Sequence, residues 1–376
     1  MVIMKTLYKR ALKPILFKFD PELIHDVFVA GGEIMGRFSL TRGLIGTFYR
    51  YNGPDISKTV DGIRHHTPIA LAAGFDYNGR LTRILPSVGF GGDEIGSVTA
   101  RPCAGNDPPR LRRCIKSGSL VVSKGLKNEG VDAFIRKMKR TPREPGFVLG
   151  VSIARTNDDK AVGLEEGIED YATSLRKLVE ANVGDFYTIN ISCPNVHGGE
   201  SFAEPAALQQ LLERLTEIRH DKPMYAKMPI NLPWDEFREI ADIVVEYGLD
   251  GVVIGNLNKN YDSLRHRDEA PADYAGGLSG EPCRDLSTDL IRHTRDHYGD
   301  DLTIIGCGGV MTAEDAMEKF RAGADLLQLI TGMIFEGPHL LKDIGHAYAR
   351  NQSWIRGDKP RRAGAGAGRQ KVLELV

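Results

Sequence analysis

The feature that most constrains the fold of this chain is an eightfold alternation of short apolar runs with segments of helical periodicity. The runs occupy residues 68–73, 92–97, 147–152, 186–191, 224–228, 251–255, 302–306 and 326–330. Several are apolar at consecutive positions, which is typical of parallel strands buried on both faces. Eight such βα units predict an α/β fold of the (β/α)8 TIM-barrel type rather than an open sheet.

The connections between the runs carry helix and loop signals. Thr312 reads as an N-cap, followed by acidic residues in the first turn of a helix that ends before Gly323. Two connections, 99–146 and 256–303, are too long for one helix. Long βα loops at the C-terminal face of a barrel usually carry function, so we expect both to cover the active site.

Residues 1–45 are predicted to form a helical extension ahead of a barrel spanning 46–350. Segments 6–17 and 20–28 read as two short amphipathic helices, the second capped by Asp20. The first mixes cations with large apolar residues, which suits an anionic membrane surface. Its composition fits a helical hairpin packed on the barrel equally well. The Gly/Ala-rich, basic segment 351–376 is predicted to be a disordered tail.

Composition excludes several classes of protein. With 49 Lys and Arg against 50 Asp and Glu, the chain lacks the basic footprint of a nucleic-acid partner. Its five cysteines show no CxxC spacing, so neither a disulfide framework nor a zinc site is indicated, and a reducing cytoplasm fits best. No apolar run is long enough to cross a bilayer, and the histidines lack metal-ligand spacing, so no metal is predicted.

The segment Asn190-Ile-Ser-Cys-Pro-Asn195 carries the strongest chemical signal, because it stands where the fourth strand ends. Two Asn side chains offer paired donors and acceptors for an amide-bearing ring. Between them, Cys193 can act as a general base, since a thiol pKa near ~8.5 is easily lowered. A buried, inert cysteine is the alternative interpretation.

Lys227 and three glycine-rich segments complete the candidate site. Lys227 ends the fifth strand, where an ammonium group is costly unless it meets an anion; pairing with a nearby carboxylate is the alternative. Segments 276–280, 306–309 and 331–333 follow the last three strands, where backbone N–H groups can hold a phosphate. No GxGxxG follows the first strand, so a nicotinamide-binding module is not indicated.

Several of these segments together resemble a known family. They are Asp20-Pro-Glu22 with His25, Leu71–Asp76, Glu94–Thr99, Arg101-Pro102 with Gly105–Asp107, Pro109–Leu111, Asn190–Asn195, Gly276–Gly280 and Ile305–Gly309. The chain resembles class 2 dihydroorotate dehydrogenases from about Tyr8 to Ala349. The resemblance implies oxidation of (S)-dihydroorotate to orotate in pyrimidine synthesis, with FMN as cofactor and a quinone as acceptor. It also implies peripheral attachment to the cytoplasmic side of the cell membrane.

The resemblance also assigns roles to individual residues. It implies Cys193 as the base that removes a proton from C5 of the substrate. The implied FMN contacts are Ala73, Gly74, Ser97, Ser152, Asn190, Lys227, Gly255, Gly280, Gly309, Ile330 and Thr331. The implied substrate contacts are Asn190, Asn195 and Asn256. We further expect Leu257, Tyr77 and Lys124 to line the substrate site.

Three positions depart from the class 2 pattern. Cys193 stands where class 2 members carry Ser and soluble class 1 members carry Cys. Tyr77 replaces a Lys, and the substrate loop reads Val122-Ser-Lys-Gly-Leu126 without its leading Asn. We hypothesise that Lys124 or Lys127 supplies the missing positive charge.

Two alternatives to the quinone-linked enzyme stay open at the level of sequence. The first is an FMN enzyme that uses fumarate or another soluble acceptor, or that acts on a different cyclic amide. The second is a non-enzymatic protein that binds flavin or a pyrimidine.

Overall fold

The structure, a computed structural model, describes residues 2–192, 202–270, 274 and 276–352. The predicted tail lies almost entirely outside the described residues. The extension consists of α1 (Val2–Leu7), a π-helical turn (Tyr8–Leu12), α2 (Lys13–Leu16), α3 (Pro21–Arg37) and α4 (Ser39–Tyr49). None of the described helices combines the length and the hydropathy that crossing a bilayer requires.

Helix α3 begins where the sequence predicts, but it is longer. The Asp20 carboxylate accepts hydrogen bonds from the backbone N–H groups of Glu22 and Leu23, both at 2.9 Å. The prediction that this helix ends at residue 28 is wrong, and α4 was not predicted. Glycines 31, 32, 36 and 43 weaken the helical signal of both segments in the sequence, because glycine has low helix propensity. At Gly32 a Cβ atom would lie 2.6 Å from Leu81 Cδ2, so glycine lets α3 approach the barrel closely.

Eight parallel strands close into a barrel, and each coincides with one of the eight predicted runs to within a few residues at either end. A hairpin of β1 (Lys58–Val60) and β2 (Ile63–His65) precedes them. The barrel strands are β3 (Ile69–Leu71), β4 (Gly92–Val98), β7 (Val148–Ile153), β8 (Phe186–Asn190), β9 (Met224–Met228), β10 (Gly251–Ile254), β12 (Thr303–Cys307) and β13 (Leu326–Leu329). The TIM-barrel prediction is therefore confirmed.

Helices cover the outside of the barrel. They are α5 (Leu85–Val88), α6 (Val131–Arg140), α7 (Leu164–Ala181), α8 (Pro205–Thr216), α9 (Trp234–Glu246), α10 (Arg284–Tyr298), α11 (Ala313–Ala322), α12 (Thr331–Glu336) and α13 (His339–Arg350). The predicted helix after the seventh strand is α11. Thr312 and Asp315 form a reciprocal capping box at its start, and Gly323 ends it in a left-handed conformation.

The two long connections meet each other above the barrel. The first contains β5 (Leu111–Cys114) and β6 (Ser119–Val122), and the second contains β11 (Gly277–Gly280). These strands form one antiparallel sheet in the order β11-β6-β5, with Leu278 opposite Val121. The sheet lies at the C-terminal end of the barrel, between the strand ends and the helical extension.

The β1–β2 hairpin closes the opposite end of the barrel. Val60 packs with Val148, Phe186 and Tyr225, which lie at or near the starts of their strands. The Tyr225 hydroxyl donates a 2.7 Å hydrogen bond to Asp61 in the hairpin turn. His65 in β2 is 4% exposed, and burial lowers its pKa from 6.5 to about 4.

Buried His65 makes the stability of the fold depend on pH. The unfolded chain takes up the imidazole proton near pH 6.5, whereas the folded chain takes it up only near pH 4. The stabilising contribution is therefore complete above pH 6.5 and is lost as the pH falls towards 4. As the pH falls from 6.5 to 4, the free energy of unfolding of a His65→Phe variant should therefore decrease by less than that of the parent. Urea denaturation at a series of pH values measures this difference. The neighbouring exposed residue provides the control, and a His66→Phe variant should follow the parent; equal slopes for all three proteins would contradict the assignment.

Candidate functional site

A cavity of about 480 Å³ lies where the C-terminal ends of the barrel strands face the extension. Its floor consists of residues at the ends of β3, β4, β8, β9, β10, β12 and β13. Its roof includes Leu120 and Val122 of β6 and apolar residues of the extension such as Leu16, Phe17, Ile24 and Phe28. One continuous space therefore joins a polar floor to an apolar roof.

A chain of buried hydrogen bonds fixes the polar side chains on one side of the floor. Asn190 Nδ2 donates to Ser97 Oγ at 2.8 Å, and Ser97 Oγ lies 2.8 Å from Ser152 Oγ. The other end of the same amide, Asn190 Oδ1, accepts a hydrogen bond from Asn256 Nδ2 at 3.2 Å. Because each amide is held by a neighbour, the faces that line the cavity are fixed before any ligand binds.

Asn256 extends this chain towards the next strand. Its Nδ2 also donates to Ser192 Oγ at 3.0 Å, and Ser192 Oγ donates to the Lys227 backbone carbonyl at 2.7 Å. The ends of β8, β9 and β10 are therefore connected through side chains as well as through the barrel. Ser192 is the last described residue before the segment that contains Cys193.

Lys227 places a buried ammonium group at the edge of the cavity. Its side chain is almost fully buried and lines the cavity, and it takes part in no salt bridge within the described ranges. Its charge lowers the pKa of the Cys307 thiol, although burial, the larger effect, raises that pKa. A buried cation without a carboxylate partner is suited to an anionic ligand, because an anion offsets its desolvation cost.

Glycine shapes the cavity wall at three strand ends. At Gly280 a Cβ atom would lie 2.3 Å from the Gly118 carbonyl oxygen, and at Gly309 it would lie 2.2 Å from Arg284 Cα. Both glycines also have positive φ angles, so no other residue fits without moving backbone. Gly74, at φ 108°, is different, because its missing Cβ would meet no described atom within 4 Å. Its backbone therefore faces open space in the cavity, where a flat ring could approach.

Most residues that the sequence assigned to the site line this one cavity. They are Ala73, Gly74, Tyr77, Ser97, Lys124, Asn190, Lys227, Gly255, Asn256, Leu257, Gly280, Gly309, Ile330 and Thr331. Ser152 differs, because it lies behind Ser97 and acts on the cavity only through that hydroxyl. Cys193 and Asn195 lie outside the described residues. The roles of these residues stay predictions.

Other residues that line the cavity were not predicted from the sequence. Tyr8 and Arg113 line its outer part, where Arg113 lies over the Phe17 ring at 4.7 Å and donates to the Phe19 carbonyl at 2.8 Å. Leu111 and Arg113 both line the cavity, as expected for alternate residues of one strand. Recognising β5 as a strand would have identified them. His25 Nε2 donates a 2.8 Å hydrogen bond to the Phe75 carbonyl, and burial lowers the His25 pKa.

Tyr77 and Lys124 meet at the boundary between floor and roof. The Lys124 ammonium lies 5.5 Å from the centre of the Tyr77 ring and donates a 3.0 Å hydrogen bond to Glu22. The Tyr77 hydroxyl is buried and has no hydrogen-bond partner among the residues that the structure describes. Across the described ranges, no group of three or more His, Cys, Asp or Glu residues is arranged to hold a metal ion.

Comparisons with known proteins agree on one family. The family model described as dihydroorotate dehydrogenase matches residues 55–350. The protein named dihydroorotate dehydrogenase (quinone) of Thermosynechococcus vestitus is 35% identical over 353 residues, covering 90% of this chain and 94% of that protein. Its namesake in Rhizobium meliloti is 37% identical, covering 86% and 87%. The crystal structure of DHODH in complex with ferulenol from Eimeria tenella matches with a TM-score of 0.73 and 26% identity, covering 89% of this chain and 93% of that one.

Two buried tyrosines, Tyr77 in the cavity and Tyr225 at the opposite end of the barrel, test the assignment of hydrogen bonds. A buried hydroxyl without a partner costs roughly 1–3 kcal/mol, whereas a satisfied one contributes about 1 kcal/mol. We therefore expect Tyr77→Phe to leave the free energy of unfolding unchanged or to raise it by about 1 kcal/mol. Tyr225→Phe, which removes the bond to Asp61, should lower it by a similar amount. Urea denaturation without substrate measures both, and a destabilised Tyr77→Phe variant would show that the hydroxyl has a partner.

Proposed function

Because the chain belongs to the dihydroorotate dehydrogenase family, we propose that it oxidises (S)-dihydroorotate to orotate, with FMN as its cofactor and a quinone as the electron acceptor. One observation supports this proposal independently of the family. A single cavity has a polar, hydrogen-bonded floor suited to a charged pyrimidine and an apolar roof suited to a quinone ring. Both reactants can therefore reach the same cofactor from one space.

The floor of the cavity fits a flavin mononucleotide. The open space beside Gly74 accommodates the edge of a flat ring, and the Gly309 and Thr331 loops follow the last two strands, where this fold commonly holds a phosphate. Ala73, Ser97, Asn190, Lys227, Gly255, Gly280 and Ile330 would hold the rest, with Ser152 supporting Ser97 from behind. When bound, FMN supplies the hydride acceptor and passes the electrons on to the quinone.

The protein's own residues bind the substrate and move its proton. Asn190 and Asn256 offer amide donors and acceptors to the pyrimidine ring, and Leu257 borders it. Asn195 would add a further amide. Cys193 would remove the proton from C5 of dihydroorotate, because a thiol is a stronger acid than a serine hydroxyl and reaches its basic form at lower pH.

The extension is proposed to rest on the cytoplasmic surface of the cell membrane as a peripheral attachment. Its outer face exposes large apolar side chains, among them Leu40 at 82%, Leu44 at 60% and Phe38 at 58%. Leu40 and Leu44 are four residues apart on α4 and so lie on one face of the helix, and a concentration of exposed apolar side chains often marks a membrane or protein contact. On the other face, Lys5 and Lys9 form salt bridges with Asp343 and Glu336 of the barrel. The extension can therefore pack on the barrel and contact lipid at the same time.

Anaerobic titration of the purified protein with dihydroorotate tests the reaction. We expect a bound flavin whose absorbance band bleaches as substrate is added, and reoxidation by a ubiquinone or menaquinone analogue. Cys193→Ala should slow bleaching by about 10²- to 10⁴-fold at unchanged flavin content, since general base catalysis contributes about that much.

Other outcomes of the titration would point to the alternatives. Reoxidation by fumarate but not by quinones would replace the acceptor. A flavin that stays oxidised with dihydroorotate but bleaches with another cyclic amide would replace the donor. A flavin that no donor reduces would favour a binding protein, and a colourless protein that takes up no FMN would contradict the whole proposal.

Vesicle binding tests the membrane face. Replacing Leu40 and Leu44 together by Glu should weaken sedimentation with anionic phospholipid vesicles by at least about tenfold, because two apolar side chains are lost and two negative charges are added. Leu286→Glu is the matched control, since Leu286 is 39% exposed on the barrel helix α10. Equal binding of the parent and the Leu40/Leu44 variant would exclude this face as the membrane contact.

A further inference from the structure

The substrate of the proposed reaction carries a carboxylate, and few positively charged side chains of the described residues line the cavity to pair with it. The cations that line the cavity are Arg113, Lys124, Lys127 and Lys227. Arg113 lies in the outer part against the Phe17 ring, and Lys227 lies at the strand ends proposed to hold FMN. Lys127 is 38% exposed, so water screens its charge. Lys124 is the remaining buried cation at the boundary between the floor and the roof.

Lys124 belongs to a cluster with surplus positive charge. Its ammonium lies 3.0 Å from Glu22 Oε1, and the same oxygen lies 3.8 Å from Arg110 Nε and 3.7 Å from Lys127 Nζ. Three cations thus share one carboxylate. Arg110 Nε is itself buried and lacks a hydrogen-bond partner in the described part of the chain, so Glu22 does not satisfy the cluster. A second carboxylate would complete it.

The geometry of Lys124 leaves it able to accept that second carboxylate. An ammonium group has three N–H donors, and within the described ranges only Glu22 accepts a hydrogen bond from this one. The Tyr77 ring at 5.5 Å holds the group at the cavity wall. With its side chain 8% exposed, its interaction with an anion is screened only weakly.

We propose that Lys124 binds the carboxylate of the substrate and that Glu22, on the first turn of α3, is the positioning residue that holds Lys124 in place. This inference rests on the proposed function. It gives the helical extension a part in recognising the pyrimidine acid, in addition to its contacts with quinone and membrane. The specificity determined by Lys124 is for an anionic ring substituent over a neutral one.

Binding of orotate and of its neutral amide, followed by the shift of the flavin spectrum, tests the inference. Lys124→Gln should weaken orotate binding by about ten- to hundredfold and amide binding by less than about threefold, because only orotate loses a charge-assisted hydrogen bond. Lys124→Arg should retain most of the preference for orotate. Lys139→Gln, at an exposed position on α6, removes one charge elsewhere and should bind both ligands as the parent does.

Variants of Glu22 separate positioning from charge. Glu22→Gln keeps an oxygen acceptor for Lys124 and should stay within about threefold of the parent, whereas Glu22→Ala should raise the KM for dihydroorotate more than it lowers kcat. Flavin content and the thermal midpoint show whether each variant is folded. If Lys124→Gln does not fold, the Glu22→Gln/Lys124→Gln double variant removes both partners and allows the same comparison.

The results that would overturn the inference are distinct from those that would overturn the proposed function. A folded, flavin-loaded Lys124→Gln variant that prefers orotate over the amide as strongly as the parent does would contradict the role of Lys124 alone. A parent protein that is not reduced by dihydroorotate and does not bind orotate would contradict the proposed function, and this inference with it.

Discussion

Closure of eight parallel strands into one barrel is the constraint on which the rest of this structure depends. Because all eight run in the same direction, their C-terminal ends meet at one rim, and the pairing register decides which residues become neighbours there. Asn190 is paired with Lys227 across β8 and β9, and Ile254 is paired with Gly306 across β10 and β12. A site assembled from distant parts of the sequence thus follows from the backbone hydrogen bonds of the sheet.

The helical extension adds what the barrel alone cannot provide. A barrel rim is open to water, and water screens charges and competes for hydrogen bonds. Here the β11-β6-β5 sheet and the extension cover the rim, and Gly32 lets α3 approach the Leu81 loop closely. The cover has apolar side chains on its inner side as well as on its outer side. A space that is apolar above and polar below is a direct consequence of placing such a helical layer over a strand-end site.

The sequence predicted the barrel well because buried parallel strands leave a nearly continuous apolar signal. All eight strands overlap the predicted runs, and the capping residues of α11 fixed its start. The small sheet over the rim was missed because its pairing is not local: Leu278 is opposite Val121, and β5 reads Leu-Arg-Arg-Cys, without an apolar run. Helix α3 was predicted too short and α4 was missed because of their glycines, of which Gly32 and Gly36 pack against the 81–84 segment of the barrel.

The residues of the candidate site also fall into a group that the sequence could predict and a group that it could not. Residues at strand ends, such as Asn190 and Lys227, could be predicted from the barrel and from the resemblance, because the fold itself brings them to the rim. Arg113 and Tyr8 could not, since they reach the cavity from elements with weak sequence signals. The sequence suggested Lys124 or Lys127 as the source of the missing positive charge, but it did not reveal the carboxylate that holds Lys124. Its partner Glu22 is far away along the chain and comes within 3.0 Å only when α3 docks.

The two buried lysines show how one cavity can treat two anions differently. Lys227 takes part in no salt bridge among the described residues, and its charge acts on the Cys307 thiol. No described carboxylate lies within salt-bridge distance of it, which suits a bound anion. Lys124 already shares Glu22 with Arg110 and Lys127. Because part of its charge is neutralised, an added carboxylate gains less there than beside an unpaired cation, which suits a ligand that must leave after each turnover.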